Sequence, residues 1–289
     1  MKQISEIKAL ISLADEPDNL LFQEVRRGIL NFGTEALPHL EEALKTTSDP
    51  FLIARITSVS NELRLSKLIP DLKNWKKSDK KEILDGYRIV HELVFPESDK
   101  MRINREIERM IQVTFAQYNP TTTPLEKVRL LNHFFFHHHR FVGGNYESIT
   151  AESFDLENVF VKRKGNALVF GVLYQHLANC LQIPIVGVNV PYNFCLAYVD
   201  ERFYGKENFN VDEHILFYIN PNGMGNLISP KGMKHFLNSS LEKVKPEYYT
   251  PCSKETTINQ VITTLGEIFL KNNQHEQFSL LSKFRTEFL

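Results

Sequence analysis

Lys162-Arg163-Lys164-Gly165-Asn166-Ala167-Leu168-Val169-Phe170-Gly171-Val172-Leu173-Tyr174-Gln175-His176-Leu177-Ala178-Asn179-Cys180-Leu181 is the stretch that decides the fold. Three basic residues lead to a glycine, and the glycine leads into a helix that is apolar on nearly every side. A helix of that kind is buried. Three strand-like runs follow it, from Ile183 to Val190, from Phe194 to Asp200 and from His214 to Asn220. A central helix on a small antiparallel sheet is the simplest way to bury both, so the expected class is α+β.

Working outward, residues 1 to about 75 read as short amphipathic helices. Ile4, Ile7, Leu10, Ile11 and Ala14 recur at helical spacing. Asp15-Glu16-Pro17-Asp18 and Asn31-Phe32-Gly33-Thr34 break the pattern, and Asp49-Pro50 supplies an N-cap with a first-turn proline. No strict period supports a solenoid. Lys73 to Lys81 is basic around Trp75 and reads as a solvated loop between helices. Two longer helices are expected over 79–95 and 99–118. Thr123-Pro124-Leu125-Glu126 is a capping box that opens another helix, and Gly143-Gly144-Asn145 marks a loop. Past the strands, 256–270 and 275–288 outline one helical hairpin, which must dock elsewhere to be stable. The expected domains are an N-terminal helical region over 1–118, a core over 119–245 and a C-terminal helical hairpin over 246–289.

Bulk properties narrow the function classes. Formal net charge is −1 over 289 residues, so nothing points to a nucleic-acid partner. No apolar run is long enough to span a bilayer, and the first residues carry an early acid rather than a leader's apolar stretch. Cys180, Cys195 and Cys252 are odd in number and widely spaced, with no CxxC pair. Neither a zinc site nor a disulfide framework is expected, and the chain is read as cytoplasmic with reduced thiols.

Several motifs resemble a known family. Arg163-Lys164-Gly165 before the buried helix resembles the approach to the active-site helix of the transglutaminase-like superfamily. So do Gln182-Ile183-Pro184-Ile185-Val186-Gly187-Val188, Pro191-Tyr192-Asn193-Phe194 and Ile219-Asn220-Pro221. Asp15-Glu16-Pro17, Glu35-Ala36-Leu37-Pro38, Asn132-His133-Phe134, Phe141 and Gly144-Asn145, with the tetratricopeptide-like tail, bring the chain closer to the bacterial SirB-type (regulator-of-SirC) subfamily. The resemblance implies a papain-like core whose chemistry uses cysteine, histidine and aspartate. Those positions fall at Ala167, Asn193 and Asn220. Alanine has no nucleophile, asparagine cannot take a thiol proton, and a second asparagine cannot stabilise an imidazolium. The subfamily often lacks the cysteine while keeping the other two, so this sequence departs further.

The expectation is therefore a catalytically inactive relative that binds a peptide, a protein or a small anion, with no cofactor and no metal. The expected cleft comprises Arg163, Lys164, Gly165, Asn166, Tyr192, Asn193, Tyr218 and Asn220. Lys162, Arg163 and Lys164 lead into free first-turn amides, which suit an anion. A hydrolase or acyltransferase with Cys195 as relocated nucleophile is one alternative, with His214 its one conceivable base. A purely structural adaptor is the other. His133 and His137 have metal-ligand spacing, but no carboxylate completes a set.

Overall fold

The computed structural model describes residues 2–144, 149–191, 193–204 and 210–288. Two compact units divide the chain: residues 1–74 with 282–289, and residues 75–281.

The first unit is helical: α1 (Lys2–Ser12), α2 (Asn19–Asn31), α3 (Leu37–Thr46) and most of α4 (Pro50–Lys77). Its core is the apolar stripe read from the sequence, with Ile7, Ile11, Phe22, Ile29, Leu40, Ile56 and Leu63 buried together. Asp18 accepts from Leu20 N at 2.7 Å and Asp49 from Phe51 N at 3.0 Å, each capping the helix that follows. Arg55 is buried between the rings of Phe22 and Phe51 and donates to the carbonyls of Ala14 and Glu16, holding the corner after α1. One expectation is corrected here. Residues 73–77 are the last turns of α4 rather than loop, with Pro70 inside that helix.

The second unit carries α5 (Ile83–Val94), α6 (Lys100–Phe115), α7 (Pro124–Asn132), α8 (Leu156–Lys162) and α9 (Ala167–Cys180). Trp75 belongs to it, is buried, and donates from Nε1 to Glu82 O at 2.7 Å, so the basic stretch ends in packing rather than in a solvated patch. After α7, residues 133–138 wind as a π-helix, bringing Phe134, Phe135 and Phe136 into the core. The winding sets His133 and His137 as stacked rings 6.0 Å apart. Among the described residues, no three His, Cys, Asp or Glu side chains converge on a metal position.

β1 (Val142–Gly143) and β2 (Lys164–Gly165) form a two-stranded parallel ladder that the sequence did not announce. The main sheet is antiparallel in the order β3 (Ile185–Val188), β4 (Cys195–Val199), β5 (Ile215–Asn220), β6 (Asn226–Ile228). Helix α9 lies against it: Phe194, which enters β4, sits where a Cβ on Gly171 would come within 2.3 Å of its ring. The opposite face, with Val188, Cys195, Ala197 and Tyr218, packs on Met233 and Leu237 of α11 (Pro230–Ser240). Helix α12 (Lys254–Lys271) packs on α5, and α13 (His275–Phe288) begins within this unit. No helix among the described residues is long and apolar enough to cross a membrane.

Candidate functional site

The site forms where α9 begins. Gly165 is buried because a Cβ there would meet the Phe170 ring at 2.7 Å, and this close approach turns the chain into the helix. Asn166 then caps α9. Its Oδ1 accepts from Leu168 N at 3.0 Å and Val169 N at 3.1 Å, while its Nδ2 donates to Ser153 O at 3.1 Å and Ser153 Oγ at 3.0 Å. Every hydrogen-bonding position of that side chain is filled. The first-turn amides that could hold an anion are therefore largely taken by the protein itself.

A cleft opens beside Ala167 in two lobes, of about 300 Å³ and about 220 Å³. Ile149, Asn166, Ala167, Pro191 and Asn193 border both, so the lobes meet over Ala167. The first is completed by Gly144, Asn222 and the α11 side chains Phe236, Leu237 and Ser240, with Leu241 just beyond. The second is completed by Asn189, Phe194, Tyr248 and the α12 residues Gln260 and Thr264, among others. No charged side chain borders either lobe among the described residues.

The residues expected to form the cleft therefore separate. Asn166, Ala167 and Asn193 come together. Arg163 takes a left-handed backbone conformation (φ 54°) at the end of α8, where it pairs with Glu106 at 3.1 Å and lies over the Phe141 ring. Lys162 pairs with Glu152 at 3.0 Å, and Lys164 is exposed on β2. Tyr218 is not on the wall. It is buried, and its hydroxyl donates to Tyr249 O at 2.6 Å. Asn220 closes the turn after β5, accepting from Asn222 N at 3.1 Å and Gly223 N at 3.2 Å, and it is Asn222 that reaches the cleft. That turn is tied down by Asn132, whose Nδ2 donates to Gly225 O at 2.9 Å and whose Oδ1 accepts from the Tyr174 hydroxyl at 2.9 Å. Tyr192 and Asn145 lie outside the described residues.

None of the three cysteines borders the cleft. Cys195 is buried in β4 and burial pushes its thiol up to about 12, the reverse of what a nucleophile needs. His214 is stacked on Phe203 at 3.8 Å and accepts from Asn210 N at 2.9 Å. Cys180 sits at the far end of α9, roughly 20 Å along the helix from Ala167 at 1.5 Å per residue, and its thiol is raised by burial and by Glu82. At the start of α9 the wall offers Ala167 and the carboxamides of Asn166 and Asn193, none of which is a nucleophile.

The α11 and α12 contributions escaped the sequence reading. Both helices lie far along the chain from Ala167, and Phe236, Gln260 and Thr264 belong to no local motif. Asn222 had a signal, because it stands in the Asn220-Pro221-Asn222-Gly223 turn cluster.

A family model described as the transglutaminase-like superfamily matches residues 101–263, more than half of the chain. No curated protein and no solved structure matches it.

Proposed function

Because the chain belongs to the transglutaminase-like superfamily, we propose that it is a catalytically inactive member that has kept the cleft and uses it to bind a polypeptide. Within the superfamily it is assigned to the SirB-type group on the motifs at both ends, and it works in the cytoplasm. The observation that carries the reading is Ala167 at the start of α9, on the wall of an open cleft. The position keeps the place of the family's nucleophile and lacks its sulfur. Asn193 on the same wall cannot act as a base, and Asn220 is engaged in its own turn.

Two of the earlier possibilities lose support on physical grounds. A small anion would find the amides of Leu168 and Val169 capped by Asn166 and the nearby Arg163 paired with Glu106. A relocated thiol reaction would need Cys195 ionised and accessible, and it is neither. The test joins turnover to capture. Small amide and thioester donors are assayed with an amine acceptor, and a random peptide pool is passed over the immobilised chain. The reading expects no turnover above buffer, and capture that Ala167→Phe removes while the fold, followed by circular dichroism, is retained. Turnover, or capture indifferent to the filled cleft, contradicts it.

A further inference from the structure

We propose that the face formed by α6, the end of α8 and the β1–β2 ladder docks an acidic segment of a partner protein, one that carries apolar side chains beside its carboxylates. The proposal stands apart from the cleft reading and uses none of the groups that the cleft offers a ligand.

The basic run Lys162-Arg163-Lys164 supplies its edge. Arg163 donates from Nη2 to Glu106 on α6, while its Nη1 has no partner among the described residues. Arg109, one turn on from Glu106, lies near enough to His139 to add to the burial that lowers that imidazole's pKa. Arg105 stands four residues before Arg109, on the same side of the helix. Arg140 follows His139, and Lys164 is the partner of Val142 in the ladder. Arg105, Arg109, Arg140 and Lys164 are all exposed, and none of them has a partner among the described residues.

The acids around them are engaged: Glu106 by Arg163, Glu152 by Lys162, and Glu157 by Arg102 at 3.8 Å. Glu108 stands four after Asn104, on the flank that meets Arg88 of α5. Glu147 lies outside the described residues and is a single charge against these four cations. On a chain of net charge −1 the excess is local, so it fits a short acidic segment better than a long polyanion, which would run on over the chain's own acids. Exposed ion pairs contribute little singly, and here apolar contact can join them. Val142 and Val161 are each 50% exposed. Residues paired in a ladder direct their side chains to the same side, so Val142 and Lys164 present an apolar group and an ammonium together. Val161 lies in the last turn of α8, two residues before Arg163. A nucleic acid would use the cations and leave the valines without a contact; an acidic segment with aliphatic side chains uses both.

The experiment titrates the full chain, by fluorescence anisotropy at low salt, into a short labelled peptide of Glu, Leu and Ser. Peptides with Gln in place of Glu or of Leu, a thymidine oligonucleotide and phosphatidylserine vesicles are run beside it. Arg109→Glu and Lys164→Glu are compared with Lys271→Glu, which reverses an exposed charge on α12, and with Ala167→Phe, which fills the cleft. The expected result is binding of the acidic peptide that weakens with salt and by about fivefold or more in Arg109→Glu and in Lys164→Glu. Lys271→Glu and Ala167→Phe leave it unchanged, and either Gln peptide binds more weakly. No binding of the acidic peptide, binding indifferent to both face reversals, an equal loss in Lys271→Glu, or an equal affinity for the peptide without Leu overturns the proposal. Loss in Ala167→Phe moves the peptide to the cleft, and tighter binding of the oligonucleotide or the vesicles gives the face to that partner; each also overturns it.

Discussion

Asn166 has each of its polar positions occupied, and this makes it the most informative residue of the site. Asn166→Ala removes the cap of α9 and its two bonds to Ser153. The loss expected is about 1–2 kcal/mol in urea denaturation. It also uncovers the amides of Leu168 and Val169, so sulfate should stabilise the variant more than the wild type. A variant as stable as the parent and equally indifferent to sulfate would contradict the assignment. The sequence places this asparagine on the cleft wall, beside first-turn amides expected to be free. A side chain's own hydrogen-bond partners are not legible from its neighbours, and Ser153 lies in another segment. Cys195 makes the opposite case. Its neighbours Phe194, Leu196 and Ala197 are apolar, and it is buried among them with the thiol pushed up to about 12. Iodoacetamide should label it only after unfolding, at any pH below that value. Rapid labelling of the native chain near neutral pH would revive the thiol reading.

At the scale of elements, the fit of α9 to the sheet depends on Gly171. Any Cβ there would press on Phe194, whose ring also lies against Gly187. Gly171→Ala should cost about 1–3 kcal/mol through overpacking and shift the entry into β4, despite alanine's better helix propensity. A stability gain would show that the helix does not sit this close. The buried helix and strands were legible because their periodicity and apolar density are local. The π-winding of 133–138 was not, since it differs from an α-helix mainly in its hydrogen bonds; Phe134, Phe135 and Phe136 are buried within it. The β1–β2 ladder is likewise two residues long on each side and carries no periodic signal. Helix α12 is legible as a helix over 256–270, but the place of α11 and α12 on the cleft is a property of the fold and not of any one stretch.

For the whole molecule, acid sensitivity should trace in part to His139. Burial, with His138 and Arg163 adding, pushes it down to about 4, and its Nε2 has no hydrogen-bond partner among the described residues. In the unfolded chain a histidine titrates near 6.5, so between those values the unfolded state holds the extra proton. Stability therefore rises with pH across that window and is lost as pH falls through it. His139→Gln should flatten the curve between about pH 6.5 and about pH 4 relative to wild type. Superimposable curves would refute the assignment. The charge balance near zero reads the same at this scale as in the sequence, and the cleft agrees with it, since no described residue on its wall is charged.

The central claim is a cleft that keeps its place in the fold and has lost its chemistry. The most direct measurement is intact mass of the native chain after exposure to an activated acyl ester, with Ala167→Cys run beside it. Peptide mapping separates the cleft from the background acylation of exposed lysines common to both proteins, and the account predicts an acyl group at residue 167 of the variant and none on any cleft residue of the wild type. An acyl group on the wild-type chain that maps to the cleft would contradict it.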